Sequence, residues 1–299
     1  MTAQPRHTLF SPSRVLAIAS NTFLELVRAK VFVLLTVFAL VIIAGSFFLE
    51  RLSFLQQFQM LKDAALGAMS IFTWLLSILA TAMLLPKDIE DRTLYTILAK
   101  PVPRFEYLIG KLLGVLQLLL VSTLIMSFAF GAVLFFRQQW AIAEAIQSAG
   151  GAKAAAETVA AITKEIKAST FSGSLIPAIV AIYLKAALCA SLTLLISTFS
   201  SSMIFTVMVS FACSLIGYIQ PVAREYWING PEQASALTKV MFMFIALLFP
   251  DLQLFNLVDD VAAGNAVSTA LFLKTAGIGV IYVFVYLFLG YWFFSEKEL

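Results

Sequence analysis

Apolar residues run along most of this chain in blocks about one bilayer long, separated by short polar intervals. Val31–Leu49, Leu66–Leu85, Leu112–Phe136, Met203–Gln220 and Thr275–Phe294 hold no charged residue, and Leu175–Phe199 holds a single one, Lys185. A helix rises about 1.5 Å per residue, so about 20 apolar residues cross the ~30 Å hydrocarbon core. In lipid, every backbone polar group must be satisfied within a helix or a closed barrel. Barrel strands alternate apolar and polar over about ten residues, and no segment here does so. The pattern predicts an all-α integral membrane protein with six transmembrane helices over those ranges. A further apolar run, Val240–Phe249, stops at Pro250. It is too short to span, and reads as a re-entrant or interfacial helix or as part of a longer broken segment.

The intervals have patterns of their own. Residues 13–30 set Val15, Ile18 and Leu26 against Asn21, Glu25 and Arg28 at helical spacing, which predicts a helix at the membrane interface just before the first span. Residues 137–173 repeat Ile142 and Ile146, then Val159, Ile162 and Ile166, with Gly150-Gly151 between them. They read as two short amphipathic helices on the outer surface. Residues 221–271, with Pro221, Asn229-Gly230-Pro231 and Pro250-Asp251, read as a compact, turn-rich outer element.

Composition narrows the function. The chain is 61% hydrophobic and 12% charged, against about 45–50% and about 25% for soluble domains. A net charge of +3 gives no footprint for a nucleic-acid partner. The first 30 residues carry Arg6, Arg14, Arg28 and Lys30 without a short apolar core and cleavage site, so no signal peptide is expected. The one histidine is His7, in the N-terminal tail, which leaves the spans without a histidine acid–base or metal site. No metal site and no catalytic residue is expected. Cys189 and Cys213 lie in apolar runs and read as packing residues. No G-x-x-x-x-G-K-[ST] run occurs, so the chain cannot supply a P-loop ATPase by itself. Lys185, near mid-depth of its span, costs several kcal/mol unless it meets water or a partner. It reads either as the lining of a polar cavity on a substrate path or as a cation bonded to neighbouring hydroxyls and carbonyls.

The stretch Pro86–Lys111, PKDIEDRTLYTILAKPVPRFEYLIGK, is dense in charge of both signs. Leu94, Ile97 and Leu98, with Tyr95, form a short helical apolar face, which Pro101 and Pro103 end. Such a helix, rimmed by charge and held between two spans, suits docking into a groove on a partner. Lys87, Arg92, Lys100, Arg104 and Lys111 here, with Arg28 and Lys30 before the first span, place this side and both termini in the cytoplasm.

The loop resembles the hallmark of type-two ABC transporter permeases. The matching residues are Glu90, Thr93-Leu94, Leu98-Ala99-Lys100-Pro101-Val102, Arg104, Glu106 and Gly110-Lys111, with Arg92 where many relatives have glycine. The run Asn21–Lys30, including Phe23, Glu25, Arg28 and Lys30, is similar to the family's interfacial helix. Ser197-Thr198-Phe199 is similar to its fourth-to-fifth connection, and Pro250-Asp251 through Phe255-Asn256 to an outer element of some members. The resemblance implies a second permease, a copy or a related chain, and a cytoplasmic ATP-binding-cassette subunit on each. That subunit, not this chain, would hold ATP and magnesium. A cytoplasmic coupling helix over about Lys87–Ala99 would carry the docking, with Asp88, Glu90, Arg92, Thr93, Leu94, Ile97, Leu98, Pro101, Arg104, Glu106 and Lys111 in that role. The expected location is the plasma (inner) membrane and the expected direction is export. The alternatives are an ATP-independent carrier or channel, for which only Lys185 supplies intramembrane charge, a lipid-acting membrane enzyme, for which Asp259-Asp260 has no adjacent histidine, and a non-transporting scaffold driven by a partner ATPase.

Overall fold

The computed structural model describes residues 10–48, 54–90, 103–148, 156–171, 173–229, 236–263, 265 and 267–296. Among them every regular element is helical. We number the helices α1 (Pro12–Val27), α2 (Lys30–Gly45), α3 (Phe54–Ala82), α4 (Leu84–Glu90), α5 (Arg104–Ser148), α6 (Ala156–Thr170), α7 (Leu175–Phe199), α8 (Met203–Asn229), α9 (Ala236–Leu248), α10 (Val258–Ala262) and α11 (Thr269–Glu296). The end of the bundle that carries α1, α4 and the last turn of α11 is called the loop end here, and the opposite one the far end.

Seven segments are long and apolar enough to cross a membrane: Lys30–Phe48, Phe58–Asp88, Arg104–Ser148, Leu175–Phe199, Met203–Asn229, Leu237–Ala262 and Thr269–Glu296. Six overlap the runs read as spans in the sequence, and the seventh, Leu237–Ala262, is additional to them. α7 is the most enclosed and packs against α3, α5, α8 and α11. Its Ser191, Thr193, Ser197 and Thr198 hydroxyls donate back to carbonyls three or four residues earlier, which satisfies them inside an apolar bundle. Large side chains such as Phe128, Ile204 and Phe284 point outward, as a lipid solvent favours.

Two helices run further than the apolar blocks. α5 continues without a break from Arg104 to Ser148, 45 residues or about 67 Å, so residues 137–148 extend the third span instead of lying as a separate surface helix. No glycine or proline interrupts the chain between Gly131 and Ser148, and Arg137, buried at the far end, stacks over Phe47 at 5.9 Å. α8 runs through Pro221 to Asn229, where the sequence suggested an end at Gln220. Proline has no N–H, so the carbonyl four residues earlier, Gly217 O, loses its helical donor. The Leu252 amide donates to it at 3.2 Å.

That contact belongs to the seventh segment, which is not one continuous helix. α9 enters beside α8 from the far end and stops at Leu248, level with Gly217, about 21 Å along α8 from Met203. The chain turns at Pro250-Asp251, makes a 3₁₀ turn at Gln253–Phe255, and α10 then packs on α3. It returns to the far end, where Asn265 O accepts from Ser174 Oγ at the head of α7. The segment is therefore a hairpin, and the short Val240–Phe249 run is its first arm. The final carbonyls of α9 are left without helical partners. Gln220 Nε2 donates to Ala246 O (2.9 Å), Tyr282 Oη to Leu247 O (3.4 Å) and Tyr286 Oη to Leu248 O (2.9 Å).

Candidate functional site

The predicted docking segment begins in α4 and ends in the first turns of α5. Arg92, Thr93, Leu94, Ile97, Leu98 and Pro101 lie outside the described residues, and so does the side chain of Glu90. What the structure describes is how the two ends of the segment are held, and each charged side chain there is tied to another element.

Glu106, in the first turn of α5 and fully buried, accepts from Arg14 of α1 through both its oxygens. Arg14 Nε lies 2.7 Å from Oε2 and Nη2 2.8 Å from Oε1, and the Ser11 amide adds a third bond at 2.8 Å. Two-pronged guanidinium–carboxylate pairing fixes orientation as well as distance. The hydrogen bond to Glu106 raises the Arg14 pKa above its already high ordinary value, so Arg14 stays charged. Asp88 of α4 is met by Lys111 Nζ at 2.6 Å and by a short hydrogen bond from the Tyr107 hydroxyl, both on α5. Only 8% of Asp88 and 4% of Lys111 are exposed. Lys87 Nζ reaches Glu25 of α1 at 2.6 Å, in a more open setting.

Arg104 turns the other way. Its Nη1 donates to Phe294 O and Ser295 O, both at 2.8 Å, while the guanidinium lies 5.8 Å over the Phe294 ring. A cation on the last carbonyls of α11 meets the negative end of the helix dipole. Stacking of Tyr107 on Phe294 completes the seam. α4, α5 and α11 are thereby joined at one end, with α1 laid across α5.

The crossing of α1 over α5 depends on two glycines. A Cβ at Gly110 would stand 2.7 Å from Ile18 Cβ, and one at Gly114 would stand 2.6 Å from Thr22 Cβ. Real Cβ atoms do not come that close, so the approach needs glycine at both places. Gly110 was part of the motif noted above. Gly114 was missed, although the Gly-x-x-x-Gly spacing was legible. Arg14 and Tyr107 were also missed. Arg14 lies 92 residues from Glu106, and local spacing carries no signal for such a pair.

Of the interfacial-helix residues, Phe23 packs on the apolar cluster beneath α1 and Glu25 pairs with Lys87, whereas Arg28 and Lys30 are exposed at the bend into α2. Lys185 lies apart from all of these, at mid-depth. Its Nζ donates to Ser70 Oγ at 3.1 Å and sits 4.9 Å over the Tyr218 ring, and no carboxylate contacts it among the described residues. No group of side chains that could hold a metal ion occurs among those residues.

The sequence profile described as ABC-2 family transporter protein matches residues 16–299. The chain belongs to this family. A search of curated proteins finds no match. Membership identifies an ABC-2 membrane permease component, a multi-pass membrane protein of transport. In this ABC-2 chain the tied residues occupy both margins of the loop between the second and third spans.

Proposed function

We propose that this ABC-2 chain is the membrane subunit of an ATP-driven exporter whose ATP and magnesium are held by a separate cytoplasmic ATP-binding-cassette subunit. That subunit docks on residues 86–111, and the chain pairs with a second permease, in the plasma membrane with both termini in the cytoplasm. One observation carries the reading. The margins of the segment are joined to α1 by the Arg14–Glu106 and Glu25–Lys87 pairs, to each other by the buried Asp88–Lys111 pair, and to α11 by Arg104, so a push on the loop moves several helices together and not the loop alone. A two-state motion needs such a stiff lever between the site of binding and the element that switches. Lys185 is assigned to the substrate path. With a hydroxyl and a ring as its neighbours, it keeps an unspent attraction for an anionic group.

The test is co-purification from native membrane. A P-loop ATPase is expected to accompany the chain and to be lost in the Leu94→Asp/Leu98→Asp variant. An undiminished complex in that variant rules out docking at the loop. External labelling of a cysteine placed at Thr96 rules out the orientation. Lys185→Ala is expected to change substrate-stimulated ATPase activity more than assembly, and unchanged stimulation removes it from the path.

A further inference from the structure

A cavity of about 740 Å³ opens at the loop end, between α1, the start of α2 and the join of α3 to α4. It lies in the angle where the chain bends at Arg28-Ala29 and α2 begins. Volumes of about 300–1,000 Å³ are typical of ligand sites. The lining is divided by polarity. Leu24, Met83 and Leu84 make an apolar floor, with Val31 at the start of α2 beside them. Asn21, Arg28 and Lys30 make the rim, beside the Glu25–Lys87 pair.

The charges on that rim do not cancel. Lys87 is engaged with Glu25. Arg28 and Lys30 are exposed, and neither has an ion-pair partner among the described residues. The local balance is three cations against one carboxylate. Two free cations above an apolar floor, at the level where an interfacial helix meets a span, match a molecule with a negative head and a hydrocarbon body. A soluble anion would use the rim and leave the floor wet. An uncharged lipid would use the floor and leave the cations unmatched.

We infer that this cavity is a binding site for an anionic glycerophospholipid, its phosphate held by Arg28 and Lys30 and its upper acyl chains laid on Leu24, Met83 and Leu84. The assignment rests on the cavity and its charges. It does not depend on the docking of an ATPase at residues 86–111. A lipid held there fills the angle between α1 and α2 and so bears on the position of the helix that Arg14 ties to α5.

Native mass spectrometry of the purified full-length chain in detergent, titrated with phosphatidylglycerol or phosphatidylcholine, tests it. The native chain is expected to retain phosphatidylglycerol in preference to phosphatidylcholine. Arg28→Gln and Lys30→Gln should each weaken that retention by roughly fivefold, the scale of one basic residue at an anionic surface. Met83→Trp, which fills the floor and keeps the charges, should lower retention of both lipids. The removal of equal charge elsewhere, in Lys164→Gln/Lys167→Gln, should leave the preference intact. An equal loss in that control, or no preference in the native chain, overturns the site. Displacement of phosphatidylglycerol by millimolar inorganic phosphate would show a free-anion site and overturn the lipid assignment. If Arg28→Gln/Lys30→Gln keeps its lipid and instead sheds the co-purifying ATPase, the cavity is a protein-docking surface and the inference fails. That outcome is independent of the Leu94→Asp/Leu98→Asp result, which bears on the loop alone.

Discussion

The loop end and the α9 hairpin meet the same difficulty, polar groups withdrawn from water, by opposite means. At the loop end the most enclosed groups are full charges, held in two pairs of opposite sign: Arg14 with Glu106, Lys111 with Asp88. At the α9 turn, deeper along the bundle, the exposed groups are backbone carbonyls, and neutral donors from Gln220, Tyr282 and Tyr286 cover them. The charge at that turn, Asp251, is met by Arg224, which reaches it from the far end of α8 at 3.4 Å. Full charges are tolerable where water or a partner is near and become expensive at depth. A carbonyl dipole needs only one hydrogen bond. The loop end is therefore built for strength and orientation, and the hairpin turn for low cost.

The sharpest way to break this contrast is to remove a buried cation. Lys111→Met takes the ammonium from the enclosed Asp88 and should destabilise the protein by about 3 kcal/mol, the low end for breaking a buried pair. Thermal unfolding in detergent reads the loss, and the Asp88→Asn/Lys111→Met double variant should recover part of it. Equal stability of Lys111→Met and the native chain would mean that water already reaches this pair. Tyr286→Phe, which strips the donor from Leu248 O, should cost less, about 1 kcal/mol. Tyr282→Phe, whose contact is longer and more exposed, should cost less again; a larger effect there would reverse the assignment of the principal cap. The smallest change is expected for Lys87→Ala at the exposed Glu25 pair, under about 1 kcal/mol and weakened by salt. A loss matching that of Lys111→Met would show that openness does not rank these pairs.

The all-helical membrane class was legible in the linear pattern, because lipid demands long uncharged runs and tolerates few other solutions. The loop motif was legible as a list of residue types. Its Glu106, Arg104, Lys111 and Asp88 could not be seen as members of two ion pairs and a helix cap, because their partners lie in other helices. The ends of α5 and α8 were misjudged for a local reason. Arg137 and Pro221 look like stops, and each is accommodated by a distant partner, Phe47 in one case and Leu252 in the other.

What the residue order carries unaided is partition: which stretches belong in hydrocarbon, which remain near water, and which family pattern joins them. That information is local, since transfer from water to lipid is nearly a sum over residues. The joining of α1, α4, α5 and α11 at one end, the hairpin at Pro250 and the cavity beneath Arg28 arise only when helices meet. Hydrogen bonds and close approach depend on distances of a few ångströms between residues far apart along the chain, and no sum over single positions contains them.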